Sequence, residues 1–279
     1  NKGEEWQSVQ VFGQEVNGLT SSIARMNLYL NGVEDFSIAC ADTLENPAFL
    51  DGSHLRKFDI VLANPPYSIK EWNREKFMND KWGRNFLGTP SQGRADYAFI
   101  QHILASMNDE NGRCAILLPH GILFRNEEKE VRTNLVKSDL LEAVIGLGPN
   151  LFYNAPMEAC ILFCNKNKDR ERKNRITFIN AVKEVTRKNA ESYLEQHHIE
   201  KILHAFHSQE DIEQFKLSIS TDDIANKDFD LSIQKYVFIK DAEVEEISFS
   251  SAISRWLNSQ KEVHVQYITL MDLLSNDKI

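Results

Sequence analysis

Residues 58–72 read FDIVLANPPYSIKEW. The apolar run 58–63 stops abruptly at Asn64-Pro65-Pro66-Tyr67. Two adjacent prolines fix φ and remove two amide donors, so the chain cannot continue a strand ladder through them. The run therefore reads as a short buried strand, and the four residues after it stand at the strand's mouth. In an open α/β sheet, ligands bind outside the carboxyl ends of the strands.

The same alternation extends in both directions. Residues 9–15 (VQVFGQE) read as a strand. Val16, Leu19, Ile23, Met26 and Leu30 then recur at spacings of three and four, which marks one helix face. Residues 36–41 (FSIACA) form a second near-continuous apolar run, as in a buried parallel strand. A long loop, 64–95, follows the NPPY turn, and its length is itself a functional hint. Tyr97, Ile100, Ile103, Leu104 and Met107 give a helix that Gly112 ends, and 114–119 (CAILLP) gives a strand. A helix is expected over 126–138, with Glu127, Glu128 and Glu130 favoured at its positive end. Strands over 142–147, 158–164 and 176–180 complete the pattern of a doubly wound, mostly parallel α/β sheet. Residues 191–207 read as helical and 214–238 as short mixed elements. Over 249–276, Trp256, Gln260, Val263, Tyr267, Leu270 and Leu274 follow a coiled-coil-like seam. The domain boundaries expected from these shifts are 1–182, 183–245 and 246–279, the last a helical segment for subunit contact.

With 279 residues, 42% of them hydrophobic, the chain suffices for one large domain or a domain with an appendage. A net charge of −9 excludes a protein that coats nucleic acid by bulk charge. Cys40, Cys114, Cys160 and Cys164 each lie in an apolar run and form no CxxC pair, which suggests core thiols in a reducing cytoplasm. No apolar stretch approaches transmembrane length, so no membrane partner is expected. Asn1 in the place of an initiator Met suggests a fragment of a longer protein.

Three polar features fall at successive strand ends. Glu15 can bind the two hydroxyls of a ribose. Asp42 can accept from an exocyclic amine or cap the Thr43-Leu44 turn. The NPPY turn suits chemistry on an amino group attached to a planar ring. Such a nitrogen is a poor nucleophile because its lone pair is delocalised. Two acceptors, the Asn64 side-chain oxygen and the Pro65 carbonyl, draw its hydrogens away and direct the lone pair outward. Pro65 and Pro66 fix the carbonyl's direction in advance. Tyr67 can stack on the ring, an interaction worth about 1–3 kcal/mol for a base.

At this point several stretches together carry a resemblance. FGQE at 12–15, ARMNLYLNG at 24–32, ADTL at 41–44, FDIVLANPPY at 58–67 and RADYAFIQHIL at 94–104 occur in order. GRCAILLPHGILFR at 112–125, VIGLGPNLFYNAPMEACILF at 144–163 and HHIEKI at 197–202 follow. The chain resembles the modification (methyltransferase) subunit of type I DNA restriction-modification systems, of the N6-adenine class. The resemblance implies an S-adenosyl-L-methionine-dependent methyltransferase fold and transfer of a methyl group to the exocyclic amine of adenine in DNA. It implies Glu15, Asp42 and Asn64 as cofactor contacts, and Asn64, Pro65, Pro66 and Tyr67 around a flipped-out adenine. The partners implied are DNA, a specificity subunit, a second modification subunit and a restriction subunit; no metal is needed.

The chain departs from the family in lacking the glycine-rich loop that cradles the methionine end, one βα unit before FGQE, and the N-terminal helical region. An isolated fragment of this kind is expected to hold the cofactor poorly and to be inactive. Gly146-Leu147-Gly148 follows a late strand and reads as a strand-end turn rather than a substitute. Lys70, Arg74, Lys76, Lys81, Arg84 and Arg94 in the long loop can touch phosphates or remain solvated. His197, His204 and His207 share one helical face without acids or thiols to complete a metal site. Two other readings stay open: methylation of a glutamine side-chain amide in a protein, and a non-catalytic assembly fragment.

Overall fold

The computed structural model describes residues 9–152, 157–188 and 191–238, and, further on, residues 253, 256, 257, 260 and 261. The chain divides into two compact units, 1–238 and 239–279. The five described residues of the second unit are helical. The rest of the expected seam, from Val263 to Leu274, lies outside the described residues.

The first unit opens with β1 (Val11–Glu15), α1 (Gly18–Leu30) and β2 (Phe36–Cys40), and β1 pairs with β2 in parallel. Asn17 starts α1 by accepting the Leu19 and Thr20 amides on its side-chain oxygen. A small antiparallel hairpin, β3 (Leu50–Asp51) and β4 (His54–Leu55), leads to β5 (Ile60–Ala63). The long loop carries only one short helix, α2 (Arg74–Met78), before α3 (Asp96–Ser106). Then come β6 (Arg113–Pro119), α4 (Lys129–Lys137), β7 (Leu141–Leu147), β8 (Ala159–Asn165) and β9 (Arg175–Ala181). The hairpin β10 (Thr186–Lys188) and β11 (Glu191–Tyr193), α5 (Gln196–His207), β12 (Lys216–Ser220) and α6 (Thr221–Asn226) complete the unit.

The main sheet has the order β12-β9-β7-β8-β6-β5. β5, β6, β7 and β9 run one way, while β8 and β12 run against their neighbours. The expected mostly parallel α/β sheet is thus present, but β1 and β2, expected within it, pair with each other in a separate two-stranded sheet. Alternate strand residues feed two cores. Ile116, Leu118, Val144 and Phe178 pack with Tyr97, Ile100 and Leu104 of α3 and Leu135 of α4. Ile145, Leu147, Ile179 and Ala181 face the other way and pack with Ala205 of α5. Gly146 and Leu147, expected in a strand-end turn, are the last paired residues of β7, and a Cβ on Gly148 just beyond them would lie 2.6 Å from the Val182 carbonyl, so glycine there allows a close backbone approach.

Several sequence expectations need correction: β2, expected as a buried strand, has no fully buried residue, and 191–193, expected as helix, form β11. β5 was expected to be buried, yet Ile60 and Leu62 are 69% and 76% exposed. The apolar stripe of α1 is likewise uncovered, with Leu19, Ile23, Met26 and Leu30 all exposed. Both surfaces are apolar because of their sequence, but nothing among the described residues lies against them. Cys40 is exposed, whereas Cys114, Cys160 and Cys164 are buried free thiols. Among the described residues no helix is long and apolar enough to cross a membrane.

Candidate active site

β1 and β2 end side by side, with Glu15 opposite Cys40, so Glu15 and Asp42 rise from adjacent strand ends. Oε1 of Glu15 accepts the Asn17 amide at 2.7 Å. Oδ1 of Asp42 accepts the Leu44 and Glu45 amides at 2.8 and 3.0 Å and closes an Asx turn. The second oxygen of each carboxylate has no hydrogen-bond partner among the described residues. A residue not anticipated from the sequence, Gln14, fixes this turn. Its side chain donates to the Ala41 and Asn46 carbonyls at 3.2 and 2.8 Å and accepts the Ala48 amide at 2.9 Å.

The NPPY turn leaves β5 at its carboxyl end. Asn64 and Pro66 are exposed, Pro65 is buried and Tyr67 is half-buried. Neither the Asn64 carboxamide nor the Pro65 carbonyl has a hydrogen-bond partner among the described residues. Two acceptors therefore stand ready beside an aromatic ring. Burial, with the nearby Cys160 and Asp96 adding to it, raises the Tyr67 phenol above its ordinary range, so it stays protonated at neutral pH. The cluster of Leu44, Phe77, Ala95 and Ala98, with Ile69 and Trp72 against it, joins the Asp42 turn to the loop that follows NPPY. The hydrophobic contact between Phe12 of β1 and Phe58 before β5, ring centroids 5.5 Å apart, draws the two strands' leading ends together.

The long loop is anchored by charge. Arg84 is fully buried and all five of its donors are engaged. They reach Asp80 Oδ1 twice, the Thr43 and Leu44 carbonyls, and His102 Nδ1 at 3.3 Å. Burial, with Arg84 beside it, pushes the His102 imidazole down to about 3. Arg84 is therefore a structural tie and does not touch phosphate. Lys76 pairs with Glu45 at 2.7 Å, Arg74 donates to the Pro90 carbonyl, and Arg94 donates to Ser68. Lys70 and Lys81 are exposed.

Behind the NPPY turn lies a polar cluster that the sequence reading missed. The buried carboxylate of Asp96 accepts the Ser68 amide at 2.8 Å and faces Arg125 Nη1 at 3.3 Å. The same nitrogen lies 3.5 Å from Oε2 of buried Glu128. Burial raises the Glu128 carboxyl to about 7, with Arg125 opposing and Asp96 reinforcing the shift. The visible signal was an acid opening the helix in RADYAF, which ordinary helix-dipole reasoning absorbs without a site. On α5, His198 is occupied in the capping box with Glu195. Among the described residues no three metal-binding side chains converge.

The profile of the N-6 DNA methylase family matches residues 1–245. The chain belongs to that family. The type I restriction enzyme MjaVII methylase subunit of Methanocaldococcus jannaschii is 32% identical to it, covering 91% of this chain and 45% of that protein. The HindI methylase subunit of Haemophilus influenzae is also 32% identical, covering 91% of this chain and 58% of its own length. The crystal structure of a type I restriction-modification methyltransferase subunit from Streptococcus thermophilus superposes with a TM-score of 0.76 at 37% identity, covering 83% of this chain and 49% of the other. The EcoKI M protein shares the fold, with a TM-score of 0.62 at 17% identity over 95% of this chain and 60% of that one. The chain spans about half the length of the curated relatives it matches.

Proposed function

We propose that this chain carries the catalytic centre of an adenine-N6 DNA methyltransferase, within the modification subunit of a type I restriction-modification system. The observation that bears most weight is the NPPY turn: an exposed Asn64 carboxamide and the Pro65 carbonyl, both without partners among the described residues, beside half-buried Tyr67 at the end of β5. An amide oxygen accepts at neutral pH without ionising, and the proline pair holds the second acceptor in place before substrate arrives. Both oxygens accept the hydrogens of the adenine amine and turn its lone pair outward. Tyr67 stacks on the extrahelical base and limits its tilt.

The donor set at the strand ends suits S-adenosyl-L-methionine. Glu15 retains one carboxylate oxygen for ribose hydroxyls, and exposed Asp42 retains one for an exocyclic amine. When bound, that cofactor supplies an electrophilic methyl carbon. The chain's own part is to orient the acceptor nitrogen, exclude water from it and disperse the charge it develops. The open apolar faces of β5 and α1 are where a further element would pack.

DNA, a specificity subunit that reads its sequence, a second modification subunit and a restriction subunit are the partners this reading requires. Exposed Trp256 and Leu257 mark the proposed contact for the specificity subunit. Deleting 249–279 and measuring complex formation tests it.

The decisive experiment follows label from the cofactor in the assembled enzyme. Label is expected on adenine N6 of DNA, and Asn64→Ala should abolish transfer. Label arriving on a protein glutamine would transfer the same chemistry to another substrate, and undiminished transfer by Asn64→Ala would overturn the mechanism.

A further inference from the structure

Asn64, Pro65 and Tyr67 can act only if the turn that carries them keeps its direction. That turn leaves through Ser68, whose φ of 52° lies in the left-handed region that side chains other than glycine rarely adopt. Such a conformation persists where its surroundings fix it. Three contacts do so here, one of them a long hydrogen bond of 3.5 Å from the Ser68 hydroxyl to Asp96 Oδ2. Ser68 gives its amide hydrogen to Asp96 Oδ1 at 2.8 Å, and its hydroxyl accepts from Arg94 Nη1 at 3.0 Å. One residue on, the Ile69 carbonyl accepts the Ala95 amide at 3.1 Å.

Asp96 is fully buried, so its charge needs a counterpart. Arg125 supplies it, with Nη1 3.3 Å from Oδ2. Arg125 is itself seated on bare backbone: a Cβ on Gly121 would lie 2.5 Å from its Nε. The Arg125 carbonyl takes a hydrogen bond from Arg132 Nη1 at 2.8 Å. A continuous path thus runs from Gly121 through Arg125 and Asp96 to the residue after the NPPY turn.

We propose that Asp96 is a positioning residue for methyl transfer, holding the NPPY turn through Ser68 while Arg125 holds Asp96. This rests on the reading of that turn as the acceptor site. Asp96 reaches no reacting atom itself. It sets the direction in which the Asn64 and Pro65 oxygens point. A carboxylate is required because both neighbours are donors. An asparagine is isosteric, but whichever way its amide turns, an N–H meets either the Ser68 amide or the Arg125 guanidinium.

The test uses the assembled methyltransferase with single-turnover and steady-state assays. Asp96→Asn should lower kcat by about tenfold or more, the scale on which small misplacements at a reacting centre act. KM for S-adenosylmethionine should stay within about twofold, because Glu15 and Asp42 are untouched. Arg125→Met should behave like Asp96→Asn, and Arg125→Lys, which keeps the charge, should recover most of the rate. If Asp96→Asn does not fold, the Arg125 pair decides. A kcat within about twofold of wild type for Asp96→Asn, or equal rates for Arg125→Met and Arg125→Lys, would overturn the proposal. Proportional changes in kcat and cofactor KM would also overturn it, since they indicate general loosening. Asn64→Ala, run alongside, separates the two readings: if it keeps full activity, the acceptor site itself is misassigned.

Discussion

Arg84 and Asp80 form an ion pair from which water is excluded on both sides, with Nη2 2.7 Å from Oδ1. The pair closes on itself within the long loop, since Asp80 Oδ2 also accepts the Trp82 and Arg84 amides. The remaining Arg84 donors reach across to the Thr43 and Leu44 carbonyls, tying that loop to the turn that presents Asp42.

Removing either partner leaves a buried charge without compensation. Asp80→Ala is expected to cost about 3–5 kcal/mol, measured by denaturant unfolding. Burial raises the Asp80 carboxyl, but the hydrogen bonds and charge of Arg84 outweigh it and the net shift is downward. A depressed carboxyl contributes stability above its ordinary pKa and loses it as pH falls through the folded value. Asp80→Asn should therefore flatten the acid limb of the stability curve. An unchanged limb would show that other groups carry it.

Glu128 works in the opposite sense. Burial lifts its carboxyl from 4.5 to about 7, so between those values the folded state binds the extra proton. Stability must fall as pH rises through that window, by about 3 kcal/mol in total. His102, pushed down from 6.5 to about 3, makes stability rise with pH over an overlapping range. The two slopes partly cancel in the wild type, so the variant difference is the informative quantity. Glu128→Gln should gain stability over wild type progressively from pH 4.5 to 7 and stay level above. A difference independent of pH would refute the assignment.

Gly121→Ala offers a way to move Arg125 without changing any charged residue. The added methyl meets the guanidinium, which is flexible and must retreat. Cofactor binding should be retained and the transfer rate should fall as it does in Arg125→Met. Wild-type kinetics in Gly121→Ala would mean that Arg125 has another seat within reach of Asp96.

The open apolar surfaces predict the behaviour of the isolated chain. Contiguous exposed apolar area drives association. Replacing Ile23 and Met26 with Lys should reduce self-association in light scattering while leaving the melting temperature almost unchanged, because neither side chain is packed. Calorimetry on the same chain should find weak S-adenosylmethionine binding; tight binding would show that Glu15, Asp42 and their neighbours suffice.

Much of the fold was legible in the sequence because periodicity reports local structure directly. Helix α3 and strands β6 to β9 follow from apolar spacing alone, as their side chains alternate between two real cores. NPPY marked its own position, since paired prolines can only end a strand. Apolar character, however, says that a face wants covering and not whether anything covers it. That is why β5 looked buried but exposes Ile60 and Leu62, and why the apolar stripe of α1 lies open.

The sequence by itself determined the order of elements and the residues at three strand ends, because those depend on neighbours along the chain. Only the tertiary structure decided the roles of Arg84, Asp96, Arg125 and Glu128. Each looks like an ordinary surface charge in sequence. Its function depends on burial and on partners up to 41 residues away, as for Arg84 with Thr43, and no local pattern encodes either.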